Sequence, residues 1–429
     1  MFFFFMMHSK WYSLYDKVYA KSNLYKSFHQ VKLNRGVAGV DGQSIEDFGS
    51  KLSLELDRLH EELVSKTYEP SPVRRVYIDK PDGSKRALGI PTVRDRVVQQ
   101  SLLNVLQPIF DVDFHPSSYG YRPKRSAAQA VAKAERFVNH YGLSHVVDMD
   151  LSKCFDTLDH DLILSGVNGK VSDGSVLQLI VKMLRSGVED QGVYYATNRG
   201  CPQGGVISPL LMNIYLDRFD QYMKEQGIRI VRYADDILIL ARTRSEAGRY
   251  HQIARTYLED ELRLEINPKK TKLTDNSEGI AFLGFILSRQ GVRINPKNIK
   301  KFKSKVRKLT RRTVGKPLIV VIAEVNQLLR GFANYFRIGR VKSHYRSLMS
   351  WIRRRLRMIK MRQWKTWKGL HKQLRRQGYR GSFERIAMNK WRNAGCHWLH
   401  KALPKQWFTA QGLYDMERVK TNILHQYYE

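Results

Sequence analysis

Two short apolar runs with acidic residues between them form the clearest local pattern in the chain. Ile230-Val231 and Ile237-Leu238-Ile239-Leu240 lie on either side of Tyr233-Ala234-Asp235-Asp236. Apolar runs of this length separated by a short polar break are typical of a β-hairpin. The pattern therefore predicts two paired strands with Asp235 and Asp236 at the turn.

The remaining apolar pattern predicts an α+β region followed by an all-helical region. Between residues 73 and 291, strand-like and helix-like segments alternate, whereas apolar residues recur at helical spacing before and after this region. The predicted strands are 74–79, 87–90 and 146–151, and the predicted helices are 50–66, 94–106 and 126–141, followed by three helices built on the series Ile299 to Leu309, Leu318 to Phe332 and Tyr345 to Ile359.

The charge of the chain is distributed unevenly. The formal net charge is +34 over 429 residues, which predicts a polyanionic partner, either nucleic acid or an anionic membrane surface. Residues 293–380 contain 28 Lys and Arg and a single acid, Glu324, so the helical region carries most of the excess. No apolar stretch reaches the roughly 20 residues that span a bilayer. We therefore expect nucleic acid, and no membrane, as the partner.

Basic and aromatic side chains alternate along the predicted basic helices. Tyr345, Trp351, Trp364 and Trp367 lie among Lys and Arg. Basic groups bind phosphates and aromatic faces stack on unpaired bases, although aromatic residues at this spacing also fill helical cores. We expect the run Arg353, Arg354 and Arg355 to contact a nucleic-acid backbone.

The adjacent carboxylates are the candidate chemistry of the hairpin turn. Two neighbouring Asp side chains repel each other unless a cation lies between them, and Mg²⁺ is bound by one or two carboxylates together with substrate phosphates. This favours half of a two-metal phosphoryl-transfer site, although an Asp-Asp pair can also close an ordinary hairpin. A third carboxylate would come from the strand that contains Asp148 and Asp150, and alternation alone does not choose between these two residues.

Eight short motifs follow one another along the chain. They are residues 77–86 (YIDKPDGSKR), 89–91 with 95–96, 118–123 (SYGYRP), 150–156, 200–210 (GCPQGGVISPL), 233–236 (YADD), 267–271 (NPKKT) and 282–285 (FLGF). Each motif is weak alone, but their order resembles that of the group II intron reverse transcriptase–maturases, mobile-intron proteins of bacteria and organelles. The Gly-rich loop at 34–42 resembles the N-terminal extension of this family, and residues 329–336 (LRGFANYF) resemble the core of its maturase domain.

The resemblance implies an α+β right-hand polymerase fold, with fingers and an antiparallel palm sheet, followed by an α-helical thumb/maturase domain. The implied divisions are an N-terminal extension at 1–68, fingers and palm at 69–292, the basic thumb/maturase domain at 293–380 and a nucleic-acid-binding tail at 381–429. The implied enzyme is an RNA-directed DNA polymerase, a nucleotidyltransferase that extends a DNA primer on an RNA template with dNTPs. It also implies binding of an intron RNA, assistance of its splicing, and retrotransposition into a DNA target.

The catalytic residues of the family match four positions of this chain. Asp150, Asp235 and Asp236 would bind two Mg²⁺ ions, a similarity that favours Asp150 where periodicity left the choice open. Lys270 resembles the lysine that protonates the departing pyrophosphate, and Lys272 is close enough in sequence to compete for this role.

Further positions match residues that contact the substrates. Lys80 and Arg86, beside the fingers turn, would bind the incoming triphosphate, and Gln203 would lie along the nucleotide and the template. Phe155 matches the bulky residue that excludes a ribose 2′-hydroxyl, the group that distinguishes RNA from DNA. Ordinary alternatives are core packing for Phe155 and a surface charge for Arg86 and Lys270.

The primer-binding motif and the cysteines complete the comparison. Phe282 and Gly284 belong to the segment that resembles the primer grip. Cys201 stands where Thr is common in the family, which is a small change. Many relatives end in a DNA endonuclease domain with paired Cys and a His-rich motif, whereas only Cys396 lies in the corresponding region here. We therefore expect no endonuclease metal site and no second-strand cleavage by the protein alone.

Other functions and the location of the protein follow from the same residues. With no CxxC pair, the cysteines predict reduced thiols in a cytoplasmic protein. The family resemblance implies a bacterial protein that can associate with the nucleoid. A domesticated relative could use the same chemistry in host defence or repair. An RNA-binding splicing cofactor with a vestigial polymerase site is the third hypothesis, which the retention of Asp150, Asp235 and Asp236 disfavours.

Overall fold

The computed structural model of the protein describes residues 10–79, 83 and 85–428. These residues divide into two units, with the division between Thr274 and Asp275. The division comes before the change in charge at residue 293, because a small sheet at 280–294 belongs by its contacts to the helical unit. Lys80, predicted to bind a triphosphate, lies outside the described residues.

The first unit contains both α-helices and β-strands. Its helices are α1 Tyr15–Tyr19, α2 Lys21–Leu33, α3 Ile45–Ser50, α4 Leu52–Val64, α5 Val93–Asp111, α6 Ala127–Asn139, α7 Cys154–Thr157, α8 His160–Asn168, α9 Gly174–Leu184, α10 Ser208–Glu225 and α11 Arg244–Thr256, which continues into a π-helical turn at Tyr257–Glu261. Its strands are β1 Val73–Asp79, β2 Lys85–Ile90, β3 His145–Asp150, β4 Val188–Asp190, β5 Val193–Tyr195, β6 Arg229–Tyr233, β7 Asp236–Ala241 and β8 Lys272–Asp275, which ends at the division. The predicted helices and strands of this region are confirmed, with shifts of a few residues at their ends.

The central sheet positions the acidic residues. Its strand order is β6-β7-β3-β8, and β7 pairs antiparallel with both β6 and β3. The segment 237–241 of β7 is fully buried, as expected for a central strand that is covered on both faces. The predicted hairpin is therefore confirmed, and the antiparallel register also places β3 beside it.

A second sheet of the first unit has the order β2-β1-β4-β5. The predicted strands β1 and β2 pair antiparallel, while β1 also pairs parallel with β4. The backbone N–H of Gly89 on β2 donates to the carbonyl oxygen of Gln203 at 2.8 Å. This hydrogen bond ties the loop that carries Gln203 to the sheet.

The second unit is a small antiparallel sheet followed by helices. Its strands are β9 Ile280–Phe282, β10 Phe285–Ser288 and β11 Gly291–Ile294, and its helices are α12 Pro296–Leu309, α13 Leu318–Phe336, α14 Lys342–Trp364, α15 Trp367–Arg376, α16 His397–Ala402 and α17 Lys405–Ala410, with 3₁₀ turns at Trp391–Gly395, Met416–Arg418 and Leu424–Tyr427. The three predicted basic helices are confirmed as α12, α13 and α14. Their apolar faces meet around aromatic rings, for example Phe302 stacked on Phe332 at 4.1 Å between centroids.

The predicted nucleic-acid contacts of residues 353–355 compete with contacts inside the second unit. Arg353 pairs with Glu417 at 2.9 Å. Arg354 lies over the ring of Trp391, and Arg355 donates hydrogen bonds to the hydroxyl and carbonyl oxygens of Thr310. These side chains therefore connect α14 to α12 and to the C-terminal segment. Their contact with nucleic acid stays a prediction.

Among the described residues, no helix is both long and apolar enough to cross a bilayer.

A buried ion pair lies beneath the β6–β7 hairpin. Arg232 and Asp220 are both completely buried, and the guanidinium Nε is 2.9 Å from each carboxylate oxygen. Asn213 accepts a further hydrogen bond from Arg232 at 3.0 Å. Because both charges are satisfied only by each other and by nearby polar groups, removal of one partner leaves an uncompensated buried charge.

We predict that Asp220→Leu lowers the free energy of unfolding by about 3–5 kcal/mol, since it leaves Arg232 charged and unpaired. The double variant Asp220→Leu with Arg232→Met should recover most of this loss. Urea unfolding measures both changes. Arg255→Met is the control, because its pair with Glu259 is exposed and should contribute less than about 1 kcal/mol. Equal losses in the buried and the exposed pair would contradict the prediction.

Candidate active site

The hairpin turn has a strained residue that the surrounding structure fixes. Ala234 has φ +60°, a left-handed conformation that is unfavourable for residues other than glycine. Its carbonyl oxygen accepts a hydrogen bond from the buried Arg232 at 3.0 Å. On the other side, Gly120 packs so closely that a Cβ atom there would lie 2.2 Å from the Ala234 nitrogen. The motifs 118–123 and 233–236 are therefore held together by contact, and this contact requires glycine.

Four carboxylates meet at the adjoining ends of β3 and β7. Asp150 lies directly opposite Asp236 in the antiparallel register, Asp235 precedes Asp236 in the turn, and Asp148 is two residues before Asp150. Desolvation and repulsion by the three neighbouring carboxylates raise the pKa of Asp236 to about 7. Desolvation and the charge of Asp150 raise the pKa of Asp148 to about 6. Carboxylates held together without a cation between them have such shifts.

The segment 267–271 brings a lysine to these acids. The N–H of Asn267 donates to the carbonyl oxygen of Asp150 at 2.9 Å, and the N–H of Lys270 donates to that of Asn267 at 3.2 Å. The Lys270 Nζ consequently lies 3.0 Å and 3.3 Å from the two carboxylate oxygens of Asp150. The charge of Lys272, the competing candidate, only partly offsets the raised pKa of Asp148. Of the two lysines, Lys270 is the one that contacts Asp150.

The donor set fits a divalent cation. Carboxylate oxygens are the ligands that Mg²⁺ prefers, and Asp150, Asp235 and Asp236 lie together at the ends of β3 and β7. Within the described part of the chain, no three His, Cys, Asp or Glu side chains are already arranged as a metal site. Lys270 occupies both oxygens of Asp150, so this ammonium group and a cation would compete for the same atoms.

A cavity of about 560 Å³ opens beside the carboxylates. Six of the residues predicted from the sequence line it: Arg86, Asp150, Phe155, Gln203, Asp235 and Lys270. They come from β2, β3, α7, the loop before α10, the hairpin turn and the segment before β8. Their convergence was implied by the motif order, and the tertiary structure brings them to one place.

Phe155 forms part of the cavity wall. Its ring is 7% exposed and makes an edge-to-face contact with Tyr121, at 6.4 Å between centroids. Its carbonyl oxygen accepts from the N–H of Cys201 at 2.7 Å, which fixes α7 against the loop that carries Gln203. A rigid ring at the wall restricts the shape of a ligand bound there.

Several residues that line the cavity or its rim were missed by the sequence analysis. Arg75, Lys85, Lys153 and Arg199 line the cavity, and Tyr121 contacts Phe155. Arg199 directly precedes the motif 200–210, and Tyr121 lies within the motif 118–123, so both could have been found from their positions. Arg75 carries no such signal, because an arginine on a strand is usually an ordinary surface residue.

Phe282 and Gly284 belong to the second unit and lie at the turn between β9 and β10. Phe282 is buried, whereas Gly284 has φ +83° and accepts hydrogen bonds from Asn295 and Asn298. A Cβ atom at Gly284 would lie 2.8 Å from the side-chain nitrogen of Asn298. The turn therefore needs glycine both for its conformation and for space.

Two family models match successive parts of the chain. The family model for reverse transcriptase (RNA-dependent DNA polymerase) matches residues 78–287. The model for the group II intron maturase-specific domain matches residues 299–379. The gap between the two matches lies near the change in charge at residue 293.

Individual relatives cover different parts of the chain. Protein YkfC of Escherichia coli (strain K12) is 37% identical over 289 residues, which are 59% of this chain and 76% of that protein. The group II intron-encoded protein LtrA of Lactococcus lactis subsp. cremoris is 27% identical, and the match covers 67% of this chain and 57% of LtrA. The putative COX1/OXI3 intron 2 protein of Saccharomyces cerevisiae is 26% identical, over 73% of this chain and 43% of its own length. The chain thus spans only about half the length of the latter two relatives. It belongs to the group II intron reverse transcriptase–maturase family, with a reverse transcriptase domain followed by a maturase-specific domain.

Proposed function

We propose that the protein copies RNA into DNA at the cavity of the first unit and binds a group II intron RNA through the basic surface of the second. The observation that carries the proposal is the convergence of Asp150, Asp235, Phe155 and Gln203 on one cavity beside Asp236. Phosphoryl transfer requires charge neutralisation and positioning more than covalent chemistry. Clustered carboxylates, nearby cations and a shaped wall supply these requirements.

Each residue of the site has a proposed role. Reverse transcriptases generally use divalent metal ions; we propose two Mg²⁺ ions held by Asp150, Asp235 and Asp236, where they would stabilise the attacking and leaving oxygens. Arg86 lines the same cavity and would neutralise the phosphates of a dNTP.

Lys270 and Phe155 would act on different parts of the nucleotide. Lys270 carries a proton at Nζ beside Asp150 and would donate it to the departing pyrophosphate. Phe155 would exclude the 2′-hydroxyl of a ribonucleotide through its position in the wall.

The second unit has an exposed surface that suits a polyanion. On α12 and α15 the exposed basic side chains are Lys297, Lys300, Lys301, Lys305, Arg307, Lys308, Lys368, Lys372, Arg375 and Arg376. Such a surface binds a nucleic-acid backbone by releasing counterions. We propose the intron RNA as its partner, with the RNA template, the DNA primer and the DNA target as the other nucleic acids, and the cytoplasm as the location. The comparisons favour neither host defence nor a splicing-only role.

We predict that Asp235→Ala and Asp236→Ala each lower template-primer extension by at least about 10³-fold, because a ligand for the neutralising cation is removed. RNA binding should change little. Extension assays at saturating dNTP, together with filter binding of RNA, measure both. Asp161→Ala, an exposed carboxylate on α8, is the matched control. Near-normal extension by either variant would remove the metal assignment.

A second prediction concerns sugar selection. Phe155→Val should open space in the cavity wall and lower the preference for dNTP over NTP by at least about tenfold, as expected for a steric contact of a few methylene groups. The measurement is the ratio of kcat/KM for the two substrates. Phe219→Val removes a buried ring away from the cavity and should leave the ratio unchanged. A ratio unaffected by Phe155→Val would mean that this ring serves packing alone.

A third prediction separates two groups of basic residues. Neutralising Lys300, Lys301 and Lys305 to Gln should flatten the salt dependence of RNA binding, by roughly 0.7–0.9 in log–log slope for each phosphate that is no longer bound, and leave stability unchanged. Neutralising the run 353–355 should also lower stability, because the pair with Glu417 is broken. Titrations at several salt concentrations and urea unfolding distinguish the two. An unchanged slope in the lysine variant would show that this face of α12 does not touch RNA.

A further inference from the structure

A second cavity lies at the opposite end of the β6–β7 hairpin from the carboxylates. It has a volume of about 490 Å³ and is bounded by the start of β6, the end of β7, α6 and α11. From Asp236 to Ala241 the strand advances about 17 Å at about 3.3 Å per residue. The cavity is therefore separate from the proposed polymerase site.

Four cationic side chains line this cavity. They are Lys133, Lys224, Arg229 and Arg242, of which the last three are exposed. Among the described residues, none of the four forms an ion pair. The single carboxylate in the lining, Glu246, accepts the backbone N–H of Arg242 at 2.9 Å. Converging cations repel one another, and an anion bound among them would relieve this repulsion.

Aromatic rings form another part of the wall. Phe137, Tyr141 and Tyr250 line the cavity, and Tyr141 is 51% exposed and packs edge-on against Phe137 at 5.8 Å. Exposed aromatic faces stack on nucleobases irrespective of sequence. In the protein, Arg136 lies over the Tyr141 ring and Arg249 over the Tyr250 ring. A bare phosphate would make no use of the exposed part of Tyr141, whereas an apolar ligand would leave the cations unpaired.

A buried histidine adds a neutral donor. His115 lines the cavity and is 8% exposed. Desolvation, and the nearby cations, lower its pKa to about 4, so the ring is neutral at pH 7. Because Nδ1 accepts the N–H of Ser117 at 3.1 Å, the ring proton is on Nε2. A neutral N–H donor of this kind suits a base or sugar oxygen.

We propose that this cavity binds one nucleotide, with its phosphate among Lys133, Lys224, Arg229 and Arg242 and its base against Tyr141 or Tyr250. The volume lies within the 300–1,000 Å³ typical of small-ligand sites. The nucleotide can be an unpaired residue of an RNA strand or a free nucleotide, since both present the same phosphate and base. The site does not depend on the proposed polymerase activity.

Photo-crosslinking of the full-length protein without added divalent metal tests the proposal. One arm uses a short thiouridine-containing single-stranded RNA, and the other uses azido-adenosine triphosphate. Peptide mapping then locates the label. We expect the label on the peptide that contains Tyr141 or Tyr250. Labelling should saturate with increasing RNA if the site binds a nucleotide of an RNA strand, and with increasing triphosphate if it binds a free nucleotide.

Two neighbouring arginines give a matched comparison. Arg242→Glu reverses a charge in the lining, whereas Arg244→Glu reverses an exposed charge two residues away that is not in the lining. Arg242→Glu should weaken labelling at these peptides about tenfold, as for loss of one charge-assisted hydrogen bond, and Arg244→Glu should not.

Two results would overturn the proposal: absence of label at these peptides in both arms, or equal labelling of the two arginine variants. The Asp235→Ala variant should be labelled to the same extent as the unchanged protein, because Asp235 lies at the opposite end of the hairpin from this cavity. If extension survives Asp235→Ala while labelling still depends on Arg242, the polymerase assignment fails and the nucleotide site stands.

Discussion

The buried pair of Arg232 and Asp220 is the interaction on which the candidate active site depends. It lies within the first unit, with both side chains fully buried, and Arg232 also binds the carbonyl oxygen of Ala234. An ion pair in the interior contributes little net stability, because desolvation offsets the attraction. Its effect here is to fix the conformation of the turn. The guanidinium group of Arg232 is shielded from solvent, and it holds the strained turn that carries Asp235 and Asp236.

Above that turn, the site has an excess of negative charge. The carboxylates of β3 and β7 are brought together by antiparallel register, and desolvation together with their mutual repulsion raises the pKa values of Asp148 and Asp236. Lys270 offsets part of this charge by binding Asp150. The arrangement would therefore suit a cation, and Lys270 would compete with such a cation for Asp150. The same lysine is therefore both a counterion of the resting site and the proposed proton donor.

Positive charge is used in two different ways across the protein. In the second unit, some arginines, such as Arg353 with Glu417, hold helices together, while most lysines of α12 remain exposed. In the first unit, four cations surround a cavity without ion-pair partners among the described residues. Net charge alone cannot separate these uses. The position of each side chain relative to its neighbours decides whether it binds another part of the protein or is left available for a ligand.

The sequence by itself determined the elements and the motifs. Apolar alternation and helical spacing predicted the β6–β7 hairpin and the helices α12 to α14, because burial of apolar side chains imposes these periods. Motif order indicated the family, which the comparison confirms, and through it Asp150, Asp235 and Asp236, whose role as metal ligands stays a prediction. Only the tertiary structure decided the rest: that Lys270 rather than Lys272 meets Asp150, that Arg75 and Tyr121 belong to the site or its rim, and that Arg353 is paired internally. These outcomes depend on contacts between residues distant in sequence, such as Arg353 and Glu417, and no local pattern encodes the distance between them.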